Sequence, residues 1–200
     1  MKPIERGEIL GLADYEAVRQ VFRNRVIEEK KLRRVAIGPH ASAVFENRDT
    51  VLLQIQEMLR TERITRAGAI DHEIETYNEI LPGADELSLT VMIEIPNPTE
   101  RDAFLRAAAG FERHLWLVNG EERIAARTSG TDAAAASERT TAVHYFKVSL
   151  SAELADALRG RARGQLMTAA VSIEVDHPSY QTRAVLPSET LIAIGQDLSG

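Results

Sequence analysis

The stretch Glu86-Leu87-Ser88-Leu89-Thr90-Val91-Met92-Ile93-Glu94-Ile95 alternates without a break. Leu87, Leu89, Val91, Ile93 and Ile95 fall on one side, and Glu86, Ser88, Thr90, Met92 and Glu94 on the other. A period of two over ten residues is the signature of a β-strand with one apolar face. Pro96 and Pro98 end it, because proline cannot donate to a ladder, and Thr99 opens a helix reaching about Ala109. Leu115 to Val118 and Arg123 to Ala126 then flank Asn119-Gly120, a dipeptide favoured in tight hairpin turns.

The same order follows again downstream. His144, Phe146, Val148 and Leu150 alternate on one face, a helix runs from Ser151 to about Arg159, and a second hairpin joins 165–175 to 180–186 around His177-Pro178. Glu100, Leu105 and Arg106 fall on Glu153, Leu158 and Arg159 at one constant offset. The sequence therefore predicts two β-α-β-β units, over 86–127 and 142–186, in a mainly antiparallel sheet with helices packed on one face. The polar, alanine-bearing stretch from Arg127 to Thr141 reads as a surface loop between them.

Upstream of Glu86 the period changes to that of helices. Tyr15, Val18, Phe22 and Val26 recur at helical spacing after Asp14, in a helix expected to reach about Lys31. Its basic end, Lys30, Lys31, Arg33 and Arg34, complements the helix dipole or offers a docking surface to an acidic partner. Short strands at 35–37 and 43–45 surround Gly38-Pro39. Helices follow from Asn47 or Asp49 to about Arg60, and from about Ala67 to Leu81, where Pro82-Gly83 breaks the pattern. The class is α+β: a helical region over 1–85 with a short hairpin, then a sheet region over 86–200, together forming one compact unit.

Composition narrows the function classes. The 200 residues are 44% hydrophobic and 27% charged, ordinary values for a globular chain. A formal charge of -6 argues against nucleic-acid binding, as does an aromatic content of 5%. The absence of cysteine removes disulfides, thiolate zinc and iron–sulfur ligation. Met1 to Leu12 lacks the apolar core of a signal peptide, and no run approaches a membrane span, so a cytoplasmic protein is expected. No dinucleotide fingerprint, phosphate-binding glycine loop or serine-nucleophile elbow occurs.

The most demanding segment is the helix after Asn47. Val51, Leu52, Ile55, Met58 and Leu59 share one broad face while Leu53 lies nearly opposite, so the helix is expected to be buried on more than one side. Its polar residues then need partners, since an enclosed carboxylate is costly unless paired, hydrogen-bonded or protonated. One reading pairs Glu57 and Glu62 with Arg48, Arg60 or Arg63. The other gathers Glu46, Arg48, Asp49, Gln54, Glu57, Arg60 and Glu62, with His40 from the preceding turn, around a ligand. Pairing is the favoured reading. Elsewhere, His72 and Glu75 are three residues apart but project away from the stripe Ile70, Ile74, Tyr77 and Leu81, toward solvent. His144 is expected to be a hydrogen-bonded core residue, and five dispersed histidines make no metal constellation, so neither metal nor cofactor is expected.

Arg33-Arg34-Val35-Ala36-Ile37-Gly38-Pro39-His40, Phe45-Glu46-Asn47-Arg48-Asp49-Thr50-Val51 and Gln54 to Ile64 resemble a bacterial family, domain of unknown function 3501. Tyr77-Asn78 before Leu81-Pro82-Gly83, and Ile93-Glu94-Ile95-Pro96, extend the resemblance. No functional residues come with the resemblance. It implies a context beside rubrerythrin-like or iron–sulfur redox proteins, hence a non-catalytic accessory or binding protein, expected to be a homodimer. The alternative is an enzyme or small-molecule binder with an enclosed polar site around the helix 49–60.

Overall fold

The computed structural model describes residues 1–129 and 138–200. After a 3-10 turn at Arg6–Glu8, its helices are α1 (Leu12–Arg33), α2 (Arg48–Thr61), α3 (Ala67–Asn78), α4 (Pro98–Ala107), α5 (Ala152–Ala162) and α6 (Ser188–Ser199). Its strands are β1 (Arg34–Ala36), β2 (Ala41–Phe45), β3 (Glu86–Ile93), β4 (Leu115–Asn119), β5 (Glu122–Ala125), β6 (Arg127–Thr128), β7 (Val143–Ser149), β8 (Val171–His177) and β9 (Tyr180–Val185).

The α+β class, the antiparallel pairing and the element order of both β-α-β-β units are as the sequence predicts. The strands divide between two sheets, however, ordered β1-β2-β3-β7-β6 and β5-β4-β8-β9. Each unit places its first strand in the larger sheet and its hairpin in the smaller. The first strands β3 and β7 pair side by side, and so do β4 and β8. The two sheets bury one core between them, with Leu89, Val91 and Phe146 on one side and Leu117, Ile173 and Val175 on the other. Leu154 and Leu158 of α5 and Leu191 and Ile194 of α6 complete it. A single sheet would have left the apolar face of each hairpin without a partner; stacking the hairpins on β3 and β7 covers both.

Strict alternation in β3 predicts one wet face, yet Ser88 and Thr90 are buried as fully as their apolar neighbours. The second face of the larger sheet lies under the helical region. There Val51, Ile55 and Leu59 of α2 pack with Ile74 of α3, Ile80, Leu81 and Tyr145 in a second cluster. Small hydroxyls and hydrogen-bonded polar groups tolerate such cover. The expected two-sided burial of α2 is present, with Leu53 buried opposite Val51 and Ile55.

Local boundaries follow capping chemistry. Asn47 caps α2, accepting from the Thr50 N–H while Thr50 Oγ1 accepts from the Asn47 N–H. The helix stops at Thr61, one residue short of Glu62: Arg63 turns left-handed (φ 53°) and the Ile64 N–H closes on Leu59 O. The first hairpin turns at Gly120-Glu121, one residue later than the Asn119-Gly120 reading, because Asn119 pairs with Glu122. Positive φ occurs at Gly120 (60°) and not at Glu121, as in a turn with glycine first. Arg127 and Thr128, expected in a loop, pair with Lys147 and Phe146. The alanine run of that loop lies outside the described residues. Residues 165–170 precede β8 and do not belong to it. Helix α6 has no counterpart among the sequence expectations. Among the described residues, no helix is long and apolar enough to cross a membrane.

Candidate functional site

Half of the residues that the sequence groups around α2 are engaged by α1 and the N-terminal segment. Glu57 receives Arg19 in a two-pronged pair, Nε to Oε1 at 2.7 Å and Nη2 to Oε2 at 2.8 Å, and the Tyr15 hydroxyl donates to Oε1 at 2.7 Å. The Arg19 guanidinium, aided by Tyr15, holds the Glu57 carboxyl below its ordinary range despite partial burial. Arg60 pairs with Glu16 at 2.6 Å, Arg48 with Glu8 at 2.5 Å and Asp49 with Arg25 at 2.5 Å. The partners expected for Glu57 within its own segment are therefore replaced by Arg19. Glutamates on α1 and before it take the arginines of α2, because α1 runs alongside α2 and supplies opposite charge at each step.

The other four grouped residues, His40, Glu46, Gln54 and Glu62, stand apart from these pairs. His40 lies at the far end of β3 from Glu46, on the β1–β2 turn, with its ring 5.4 Å from that of Phe104 and 6.1 Å from that of Tyr180. Glu62 is exposed beside Gln54, Glu57 and Tyr77 around a shallow open hollow between α2 and α3. Glu46 is buried, 3% exposed, on the covered face of the larger sheet. One oxygen, Oε1, accepts from Thr90 Oγ1 at 2.6 Å and from Gln54 Nε2 at 3.0 Å. Among the described residues the other, Oε2, has no partner, nor does the buried hydroxyl of Ser88 on the neighbouring strand.

Both residues line a cavity of about 260 Å³. It is bounded by the end of β2, the 82–85 turn, the start of β3, and the last turns of α6. Phe45, Leu87, Ile194 and Leu198 supply apolar wall; Asp85, Glu86, Arg159 and Asp197 supply charge. Asp85, left-handed at φ 50°, pairs with Arg159, which also donates to Asp156 Oδ1 at 2.9 Å and to Leu198 O at 3.0 Å. Glu86 pairs with Lys147 at 3.1 Å. Asp197 pairs with the buried Arg33; burial raises its carboxyl above the ordinary range, against the lowering effect of Arg33 and Asn47. A concave pocket with apolar walls and a few convergent polar groups is what a small-molecule site requires.

Residues 3–198 match the model of a family described as "Protein of unknown function (DUF3501)". The chain belongs to the DUF3501 family. It is similar to a crystal structure of a novel protein of unknown function from Burkholderia pseudomallei K96243, at 32% identity and a TM-score of 0.87. The alignment covers 98% of this chain and 100% of that one. Comparison with curated proteins gives no match.

Several other polar groups of this DUF3501 protein are internally engaged, although the buried Trp116 Nε1 has no hydrogen-bond partner among the described residues. Three of the four basic residues at the end of α1 pair with carboxylates: Lys31 with Glu28, Arg33 with Glu29 and Asp197, Arg34 with Glu94. His144 is buried against Phe111 and Phe146, with Nε2 3.1 Å from Thr140 Oγ1. His177 Nδ1 accepts from the Ser179 N–H at 3.1 Å, which assigns the proton to Nε2, 3.1 Å from Ala109 O. His72 and Glu75 of α3 are exposed. Among the described residues, no three His, Asp or Glu side chains are grouped so as to hold a metal ion.

Of the cavity's polar residues, only Glu46 belongs to the sequence grouping. Asp85, Ser88, Arg159 and Asp197 carry no motif. The recoverable signal is in α6, where Leu191, Ile194 and Leu198 recur at helical spacing after Pro187-Ser188-Glu189, with Asp197 on the edge of that stripe.

Proposed function

We propose that the protein binds a small molecule in the cavity at Glu46 and Ser88, without catalysing its conversion. One observation supports this reading above the rest: on two residues that line the cavity, a buried side-chain oxygen lacks the partner, among the described residues, that buried polar atoms ordinarily have. A ligand group that hydrogen-bonds them would relieve a cost of about 1–3 kcal/mol for each. The cavity differs from the site first drawn around α2, whose charges largely neutralise one another.

The biological setting we propose is that of a cytoplasmic, homodimeric accessory to a rubrerythrin-like or iron–sulfur redox system. The setting rests on the family resemblance. The dimer draws support from Val18, Val21 and Leu32, exposed along one face of α1, Val21 at 77%. Sedimentation of the wild type and of Val21→Glu tests it: a dimer lost in the variant supports this face, and a monomeric wild type refutes it.

Binding is tested by soaking crystals with a small-fragment library. Density is expected in the cavity of the wild type and not of Ala84→Phe, which adds a ring at the exposed lip. A cavity that stays empty throughout, or fragments that gather only elsewhere, would overturn the reading.

A further inference from the structure

Resting on that reading of the cavity, we propose that its ligand is a small organic cation, an alkylammonium-like group on a short apolar body, seated with its nitrogen between Glu46 and Ser88. Four side-chain carboxylates line the space, and three already have a basic partner: Asp85 has Arg159, Glu86 has Lys147 and Asp197 has Arg33. Glu46 has none within ion-pair distance among the described residues. Its two hydrogen-bond donors, Thr90 and Gln54, are neutral and meet the same oxygen. The α-ammonium of Met1, at the rim, donates to Pro82 O at 3.1 Å and makes no pair with Glu46. Glu46 is thus the uncompensated acceptor of the wall.

An ammonium group answers both deficits at once. Its N–H bonds complement Glu46 Oε2 and the Ser88 hydroxyl, which also accepts, once a side-chain rotation turns these enclosed oxygens into the space their residues line, and its charge balances a carboxylate in a poorly solvated site. An anion finds the reverse, since the N–H groups of Arg159 are divided among Asp85, Asp156 and Leu198 O. Phe45, Leu87, Ile194 and Leu198 offer an alkyl body its apolar surroundings. At about 260 Å³ the space lies below the range of roughly 300–1,000 Å³ that suits drug-sized ligands, so the body is short.

The test is calorimetric titration of the full chain with n-alkylammonium chlorides from ethyl to hexyl, the matching alcohols and carboxylates, and Mg²⁺ or Zn²⁺ alone. The ammonium series is expected to bind at least tenfold more tightly than the alcohols, with the carboxylates weakest. Glu46→Gln is expected to remove that preference while still binding the alcohols, because its amide oxygen keeps the contacts with Thr90 and Gln54. Ser88→Val should weaken both series, and the ammonium-to-alcohol comparison in the wild type stands without any variant. Alcohols or carboxylates binding as well as ammonium would overturn the proposal and leave the cavity as a binding site. Binding of a metal ion alone would do the same. If no probe binds and fragment soaks leave the cavity empty, the functional reading fails together with this one.

Discussion

Helix α6 forms one wall of the cavity, and Gly195 sets how closely it lies against α5. A methyl group built on Gly195 would sit 2.8 Å from the Leu158 carbonyl carbon, closer still to its oxygen, and 3.0 Å from Ala162 Cβ. Carbon atoms rest at about 3.5–4.0 Å, so α6 would have to retreat by roughly 0.7 Å or more. The obstacle is backbone inside another helix and cannot rotate away. Retreat would loosen Leu191 and Ile194 in the main core, the Thr190 hydroxyl on Leu32 O, and Asp197 on Arg33. Overpacking costs about 1–3 kcal/mol, and a clash with backbone that cannot rotate away falls at about 2–3 kcal/mol of that range, against about 1 kcal/mol regained because alanine favours helix over glycine. Gly195→Ala is therefore expected to lose about 1–2 kcal/mol. With a urea slope of about 2 kcal/mol/M, the midpoint falls by roughly 0.5–1 M. Gly68→Ala on α3 is the control: nothing lies within 4 Å of the added methyl, so the same exchange should be neutral or gain a few tenths of a kcal/mol. Urea unfolding of both variants, followed by circular dichroism, decides the matter. A Gly195→Ala protein as stable as the wild type would refute the close α5–α6 approach and, with it, the placement of the cavity wall.

Two further outcomes test the charge network. Glu57→Gln breaks the two-pronged Arg19 pair and weakens the Tyr15 bond at a partly buried site, so a loss of about 1.5–3 kcal/mol is expected in urea unfolding. A loss below about 0.5 kcal/mol would mean that this clamp does not hold α1 to α2. On the smaller sheet, the Arg123 guanidinium, with help from His114, lowers the Asp176 carboxyl from its ordinary 3.8 to about 2. A lowered carboxyl stabilises the fold above its unfolded-state value and loses that contribution as pH falls toward the folded one. Wild type should thus exceed Asp176→Asn at pH 6, by no more than about 1 kcal/mol because the pair is partly exposed and screened. The gap should close near pH 2, and a gap unchanged with pH would refute the assignment.

Local periodicity carried the elements well. The alternation of β3, the two-sided apolar pattern of α2 and the repeated β-α-β-β order are all properties of neighbouring residues, and a single chain displays them. The division into two sheets is not such a property. Whether β4 lies beside β5 alone or also beside β8 depends on which apolar faces remain uncovered after each hairpin forms, and that is a sum over distant segments. Helix α6 was legible in principle, from Leu191, Ile194 and Leu198 after Pro187. Its site role was not, because Asp197 meets Arg33 across almost the whole chain.

The same distinction explains why the enclosed charges of α2 divide as they do. From the sequence, Glu46 and Glu57 look alike: each is a carboxylate in or beside a helix with little open surface. Glu57 faces a long helix that carries arginine one turn after a tyrosine, so Arg19 and Tyr15 reach it together and its charge is absorbed. Glu46 follows Phe45 at the end of β2, and strand parity turns it away from the inter-sheet core, onto the face where β3 presents Ser88 and Thr90. Those neighbours are hydroxyls. They can satisfy hydrogen bonds but cannot neutralise charge, and no basic residue of α2 reaches back, since Arg48 and Arg60 are drawn outward to Glu8 and Glu16. Pairing wins wherever two helices supply opposite charges at matching steps. At the seam between helix and sheet it fails, and the unbalanced carboxylate there borders the cavity.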